Sequence, residues 1–298
     1  MKRILIILFL PIMILATSCE KFVEGFEISP NSPTEVTPAL QLANAQVSAF
    51  SSFTGQLARL ASVLVQQNAG TDFQLVDVAT YNILEGDNVN EWESLYADYL
   101  IDLNNLIANE AINPHYAGIA QIMKAMGLGL LTDIWGDIPN SEALLGPDNL
   151  NPAFDSQESV YIDMQALLSA GISNLGKNSA ANISVPSSDD FIHSGDVSAW
   201  IITANILQAR YSIHLSKRNG TSAAQAAIGF LDDAVANGMT GPENDANAIF
   251  GTAGNELNSW NAFINSRGGY IKAGSNLVDI MLAIDDPRRY EYFTRGAD

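Results

Sequence analysis

Two carboxylates four residues apart stand out, in the string Asp133-Ile134-Trp135-Gly136-Asp137-Ile138-Pro139. A pair of acids at fixed separation can act as general acid and general base, as in glycoside hydrolysis, where the distance between them selects the mechanism. The same string has a structural reading. Asp133 ends a helix, Gly136 makes the turn, Asp137 accepts hydrogen bonds from nearby backbone N–H groups, and Pro139 fixes the exit direction. With 33 Asp and Glu in the chain, an acidic pair at any one spacing arises readily, so the string does not by itself establish catalysis. Aromatic residues in irregular segments offer a different chemistry. Sugars present apolar C–H faces and hydroxyls, so a glycan site combines an aromatic platform with amide, carboxylate or guanidinium groups in a concave pocket. Phe73, Tyr81 and Asn82 fall in one irregular region, and Trp260, Asn261, Arg267 and Tyr270 in another. Each is a candidate ligand contact, with the alternative that the aromatic only anchors its own loop. Trp92 and Tyr96, four apart, share one helix face and read as core.

Other chemistries find little support. His115, His193 and His214 are scattered singly, and the one cysteine cannot form an internal disulfide or complete a zinc cluster. His193 and His214 read as polar contacts. There is no His-x-x-x-His pair, no Gly-x-Ser-x-Gly elbow and no Gly-x-x-x-x-Gly-Lys-Ser/Thr loop. Glu85-Gly86-Asp87 and Glu243-Asn244-Asp245 could offer oxygens to a structural Ca²⁺, but no complete twelve-residue calcium loop accompanies them, so no cofactor is expected. Fourteen Lys and Arg against 33 acids give a net charge of −19. Nucleic-acid binding draws its affinity from cations neutralising phosphates, so nucleic acid is not an expected partner.

The amino terminus carries an address. Met1-Lys2-Arg3 precedes the apolar stretch from Ile4 to Leu15, which is too short for the ~20 residues of a membrane-spanning helix and reads as a secretory signal. It leads into Ala16-Thr17-Ser18-Cys19, which resembles a bacterial lipobox with Cys19 as the lipidated first residue of the mature chain. Leu15 stands four residues before Cys19, where the usual pattern has it three before; an ordinary signal peptide with an incidental cysteine is the alternative. Acyl chains contribute about 0.8 kcal/mol per buried CH₂, so more than one chain makes a stable anchor. Pro30, Pro33 and Pro38 then mark an extended leader. The expected organisation is a signal at 1–18, the lipidated cysteine and leader at 19–38, and a helical domain at 39–298.

Hydrophobic residues make up 47% of the 298 residues, enough for a sizeable core in one large domain or two ordinary ones. Leu40, Ala43, Val47, Phe50, Phe53, Leu57, Leu60 and Leu64 recur at helical spacing and predict a helix over 39–67 with that stripe buried. Residues 68–89 lose the period and read as a long ordered loop. Asn90 with Glu93, Asp155 with Glu158, and Ser222 with Gln225 each match a capping box at a helix start. The helices that follow span about 91–110, 116–133, 156–175, 197–217 and 223–237. Gly118, Ala125, Gly127 and Gly129 predict close approach of neighbouring helices. After Gly238 the chain is Gly- and Asn-rich through Gly274, with a helical Leu277–Ile284 before Asp286-Pro287. Helices of this length with few alternating runs predict an all-α protein, an α-solenoid of paired helices with long irregular loops.

Taken in order, several strings resemble the SusD/RagB family of nutrient-binding outer-membrane lipoproteins. They are Cys19; Ser29-Pro30-Asn31-Ser32-Pro33-Thr34; Trp92-Glu93-Ser94-Leu95-Tyr96 with Asp102-Leu103-Asn104; and Leu131-Thr132 through Pro139 with Ser141-Glu142-Ala143. Further on come Phe154-Asp155-Ser156-Gln157-Glu158, Gly195-Asp196-Val197-Ser198-Ala199-Trp200 leading to Arg210, and Asp286-Pro287-Arg288-Arg289. Asn140 replaces a usual aromatic. The resemblance implies tetratricopeptide-like helix pairs, and a non-catalytic, lipid-anchored surface protein that captures an oligosaccharide or peptide. It also implies a partner, a SusC-type TonB-dependent transporter over which the protein closes as a lid. Relatives are considerably longer, so the chain is expected to be a C-terminally truncated fragment. A lipid-anchored hydrolase using Asp133 and Asp137, and a helical scaffold for other proteins, are the alternatives.

Overall fold

The computed structural model describes residues 36–293. The signal, Cys19 and the leader up to residue 35 lie outside the described residues. The helical body opens with α1 (Pro38–Thr54) and α2 (Gln56–Leu64). A strand β1 (Asn68–Gly70), a short helix α3 (Gln74–Ala79) and a 3₁₀ turn (Glu85–Asn88) follow. Next come α4 (Val89–Ser94), a π-helical turn (Leu95–Leu100) and α5 (Ile101–Ala108) in one continuous rod. The long helices are α6 (Pro114–Trp135), α7 (Gln157–Leu175), α8 (Val197–His214) and, after the short α9 (Ser216–Asn219), α10 (Thr221–Ala236). The chain ends with α11 (Ser259–Ser266), β2 (Ile271–Ala273), α12 (Ser275–Ala283) and α13 (Arg289–Tyr292). The fold is all-α in character. α6 packs on α5 and α7, α7 on α8, and α8 on α10, as a succession of tetratricopeptide-like helix pairs.

α6 is the axis of this stack. Pro114 at its first turn needs no N–H partner, and residues on every side of the helix are buried, from His115 and Tyr116 through Ile119 and Met123 to Leu131. Such a helix packs neighbours all round, and glycine is what lets them approach. A Cβ at Gly118 would lie 2.8 Å from the Leu175 side chain and 3.0 Å from the Gly171 carbonyl, and one at Gly129 would lie 2.6 Å from the Tyr211 hydroxyl. The main core holds Trp200, Tyr99, Tyr116, Leu95, Leu103 and Ile122. Within it the Tyr99 hydroxyl donates to the Met123 carbonyl, and burial pushes that phenol far above its ordinary range.

Helix boundaries differ from the expected caps in instructive ways. Asn90 lies inside α4, whose start follows a 3₁₀ turn in which Asp87 Oδ2 accepts from Leu84 N at 2.8 Å. Ser222 lies inside α10 and its hydroxyl donates to Asn219 O; the break before it comes from Gly220 at φ +55°. α7 is capped by Ser156, whose hydroxyl accepts from Ser159 N. Asp155 cannot serve there, because its backbone pairs with Ile138 (N–H to O 2.8 Å, return bond 3.1 Å) and its carboxylate accepts from Asn140 N and Ser141 N. α8 is capped by Asp196, which accepts from Ser198 N and Ala199 N.

The single helix expected over 39–67 is two, parted at Gly55. In α2 Leu57 and Leu60 of the expected stripe are buried, but in α1 the stripe is rotated: Leu42, Ala45, Gln46 and Ala49 are inside, while Leu40 and Val47 are 63% and 54% exposed. Buried Gln46 has a polar partner inside, Asp190, which explains why an apolar-only reading chose the wrong face. The two irregular regions are not separate loops. β1 and β2 pair antiparallel, Asn68 with Ala273, Ala69 with Lys272 and Gly70 with Ile271. Leu60, Val63, Leu75, Val78 and Phe263 form a small second core beside this ribbon.

Adding a methyl at Gly118 forces backbone and a packed leucine apart, so Gly118→Ala is expected to cost about 1–3 kcal/mol in urea unfolding, while Gly86→Ala, with open space around it, changes little. The backbone donors of Ser141 and Asn140 hold the Asp155 carboxyl below its ordinary range. Its contribution to stability is therefore complete above the unfolded pKa of about 4 and is lost as pH falls through the lower folded value. Thermal melts of Asp155→Asn should lie below wild type at pH 7 and converge with it under strong acid.

Candidate functional site

The β1/β2 ribbon positions the aromatic residues. Phe73 caps α3 with φ +44° and is 64% exposed; its N–H donates to Asp72 Oδ1. A non-glycine residue there is strained, and strain of this kind collects at functional sites. Its ring stacks on Tyr270, centroids 4.7 Å apart and planes 19° from parallel. Tyr270 in turn meets the edge of Phe263 at 5.9 Å. Two cations approach Phe263, with the Arg59 guanidinium 4.2 Å and that of Arg267 5.4 Å from the ring centroid. Arg59 is buried, and desolvation pushes its guanidinium down, partly offset by Glu91. The register is locked where the aromatics meet: Thr71 N donates to Tyr270 O at 2.9 Å and Thr71 Oγ1 to Gly269 O at 2.5 Å.

The structure thus brings Phe73, Tyr270 and Arg267 into one ridge, although the sequence placed them in regions about 200 residues apart. Tyr81, at φ +60° and 65% exposed, donates its hydroxyl to Leu64 O. It anchors the same segment, and Asn82 beside it is exposed with its N–H on Asp77 O. Trp260 and Asn261 are on α11 but outside the stack. Trp260 is half-buried at the helix start, its N–H on Asn258 Oδ1, and Asn261 Oδ1 accepts from Asn265 Nδ2.

A cavity of about 780 Å³ lies between α1, residues 188–194 and residues 249–259. Phe50, Phe191 and Phe250 give it apolar walls, and Ser51, Ser188, Asn255 and Glu256 give it hydroxyl, amide and carboxylate groups. Phe50 and Phe250 meet edge to face at 5.9 Å. Ser259 also lines the cavity, and its carbonyl accepts from Arg59 Nη1 at 3.4 Å, so one arginine joins cavity and ridge. Aromatic faces with scattered hydroxyl, amide and carboxylate groups suit a polyhydroxylated ligand. Phe263, Arg59 and Phe250 were not among the sequence candidates. For Phe250 and Phe263 the signal was the density of aromatics in the region after Gly238, whereas Arg59 lies on α2, which reads in the sequence as ordinary core.

The two carboxylates of the acidic pair have separate partners. Asp137 Oδ1 accepts from Gln157 N at 2.9 Å, at the start of α7, whereas Asp133 accepts from the Tyr161 hydroxyl at 2.6 Å. The acidic turns have local uses as well: Asp87 holds Leu84 N, and Glu243 Oε1 accepts from Thr240 Oγ1. Among the described residues no group of three or more His, Cys, Asp or Glu is placed to hold a metal ion. His115 Nε2 meets Lys177 O, and His193 Nε2 meets Thr203 Oγ1. No helix among the described residues is long and apolar enough to cross a membrane.

Comparison with known proteins follows this geometry. A family profile described as starch-binding, associating with outer membrane, of the SusD-like type, matches residues 30–298. No curated protein matches the chain. Among solved structures, a SusD/RagB family protein from Bacteroides thetaiotaomicron is 27% identical with a TM-score of 0.74, covering 85% of this chain and 53% of its own. A SusD homolog from Bacteroides ovatus is 25% identical, with a TM-score of 0.62, covering 86% of this chain and 51% of its own. A chitin-binding SusD homolog from Flavobacterium johnsoniae is 24% identical, with a TM-score of 0.66, covering 83% of this chain and 53% of its own, and shows the fold. The chain therefore spans about half the length of these structures. Ordered motifs, paired helices and a profile match running from residue 30 to residue 298 agree, and the chain belongs to the SusD-like family.

Proposed function

We propose that this protein is a non-catalytic, cell-surface nutrient-binding lipoprotein that captures an oligosaccharide and passes it to a SusC-type TonB-dependent transporter. The observation that carries the reading is the exposed stack of Phe73 on Tyr270, linked through Phe263 and Arg59 to the Ser259 wall of an aromatic and hydroxyl-lined cavity. An exposed ring gives a pyranose face an apolar platform, and the neighbouring amide and hydroxyl groups satisfy its hydroxyls. The family description and the chitin-binding homologs of similar fold point to glucose- or N-acetylglucosamine-based chains as the first ligands to try. In this reading Cys19 carries the lipid, the surface is acidic, and the separate partners of Asp133 and Asp137 speak against a hydrolytic pair.

Calorimetry of the chain begun at Glu20 against starch and chitin oligosaccharides tests the reading, with products checked for cleavage. Binding without cleavage is expected, and Phe73→Ala or Tyr270→Ala should weaken it about tenfold, corresponding to ~1.4 kcal/mol. Cleavage of the oligosaccharide, or unchanged affinity in both variants, would overturn it. In a lipoprotein-processing host, Cys19→Ala should abolish labelling by radioactive palmitate and release the protein from the membrane fraction.

A further inference from the structure

A smaller cavity, of about 150 Å³, lies between α1, α6 and the irregular chain that joins α10 to α11. Phe50 lines both this cavity and the larger one of 780 Å³. Its floor belongs to the main core, since Ala49, Met123 and Trp200 are buried, and its outer edge is the exposed Ala246.

The lining side chains carry no charge. The two with a strong hydrogen-bond donor have spent it elsewhere: Thr54 Oγ1 donates to Phe50 O at 2.7 Å, and Trp200 Nε1 to Asp190 Oδ2 at 2.7 Å. An ion placed here would give up its hydration with no counter-charge to replace it. Apolar surface would instead gain contacts with Phe50, Phe53 and Trp200, and with Met123 and Met126, whose unbranched thioethers adapt to the shape of a guest. An apolar cavity of this volume is large enough to hold benzene.

The chain across the opening leaves that volume unfilled. Ala246 and Ala248 bring only a methyl each to the cavity, while the larger Ile249 beside them is 76% exposed. Among the described residues, the hydrogen bonds of residues 245–256 all stay within the segment 240–258, such as Asp245 N to Pro242 O and Gly251 N to Glu256 O. Its hold on α1 is apolar, through Phe250 edge-on to Phe50. A guest can therefore enter by displacing apolar contacts alone, without breaking a hydrogen bond between this segment and the helices.

We infer that this cavity is a binding site for a small uncharged aromatic ring of about benzene size. The ring comes either from a free apolar molecule or from a substituent on a sugar held in the neighbouring cavity, and only the second source rests on the glycan reading.

The test is calorimetric titration of the full chain with benzene, with benzoate as the charged control. Saturable binding of one benzene per chain is expected, in the millimolar range or tighter, with benzoate at least tenfold weaker. Ala248→Phe, which fills the cavity with a ring from the protein itself, should weaken benzene binding tenfold or more. Phe73→Ala, on the exposed ridge, should leave it unchanged, so failure of the glycan reading and failure of this inference are read separately. Phenyl β-D-glucoside binding more tightly than benzene assigns the ring to a sugar, and the reverse order assigns it to a free apolar molecule. If Ala248→Phe does not fold, Met126→Ala carries the test: the enlarged cavity should favour naphthalene over benzene by threefold or more relative to wild type. Absence of saturable benzene binding by the folded wild type, equal binding of benzoate, unchanged benzene affinity in folded Ala248→Phe, or an unchanged naphthalene preference in Met126→Ala would overturn the inference.

Discussion

A single buried carboxylate ties the architecture to the site. Asp190 is 1% exposed and accepts from Gln46 Nε2 on α1, Trp200 Nε1 on α8, and the backbone N–H groups of Ile192, His193 and Gly195. A charge removed from water is tolerable only when its lone pairs are fully used, and here the five donors come from three segments that must be correctly placed together. Gln46 completes the knot by accepting from Phe191 N at 2.6 Å. The turn closes through Ser194 and Gly195, both at positive φ. Because Asp190 and Phe191 also form one wall of the 780 Å³ cavity, the constraint that fastens α1 to α8 shapes that wall as well.

The aromatic ridge is built differently, from surface and strain. Phe73 and Tyr81 hold left-handed backbone on either side of a six-residue helix, and a short ribbon holds Phe73 opposite Tyr270. Arg59 bridges the two regimes. Its guanidinium lies on Phe263 and reaches the Ser259 carbonyl, so the stacked rings are tied to α2. The stack supplies rigidity, whereas the cavity supplies variety of hydrogen-bonding groups. In the proposed binding role both count, because an ordered platform loses less entropy when a ligand arrives.

Much of this was legible in the sequence, and the failures have physical causes. The long helices are readable because their apolar period persists over several turns: α7, expected at 156–175, runs from Gln157 to Leu175. The glycines of α6 announce close packing because nothing else justifies them in a helix interior. Three-residue strands carry too few residues for a period, so β1 and β2 could not be seen. Caps failed where tertiary bonds outbid local ones, as with Asp155, whose backbone pairing with Ile138 turned its carboxylate to a different loop. The stripe of α1 was misread because Gln46 and Ser52 are buried polar residues. The candidate aromatics were picked by type and region, and the stack of Phe73 on Tyr270 exists only through a pairing across about 200 residues.

That distant pairing shapes how the molecule comes together. Contacts close in sequence form early, while those that close a long loop must first overcome a larger loss of chain entropy. The helix pairs from α5 to α8 are local in this sense; the ribbon is not, since Gly70 must meet Ile271. The helical stack can therefore consolidate before the aromatic ridge exists. Three residues per strand also give that ridge a weak grip on itself, so it belongs among the first parts of the fold to open. Cargo lying across both strands would then act as a clasp, completing an edge of the molecule that the chain fastens last.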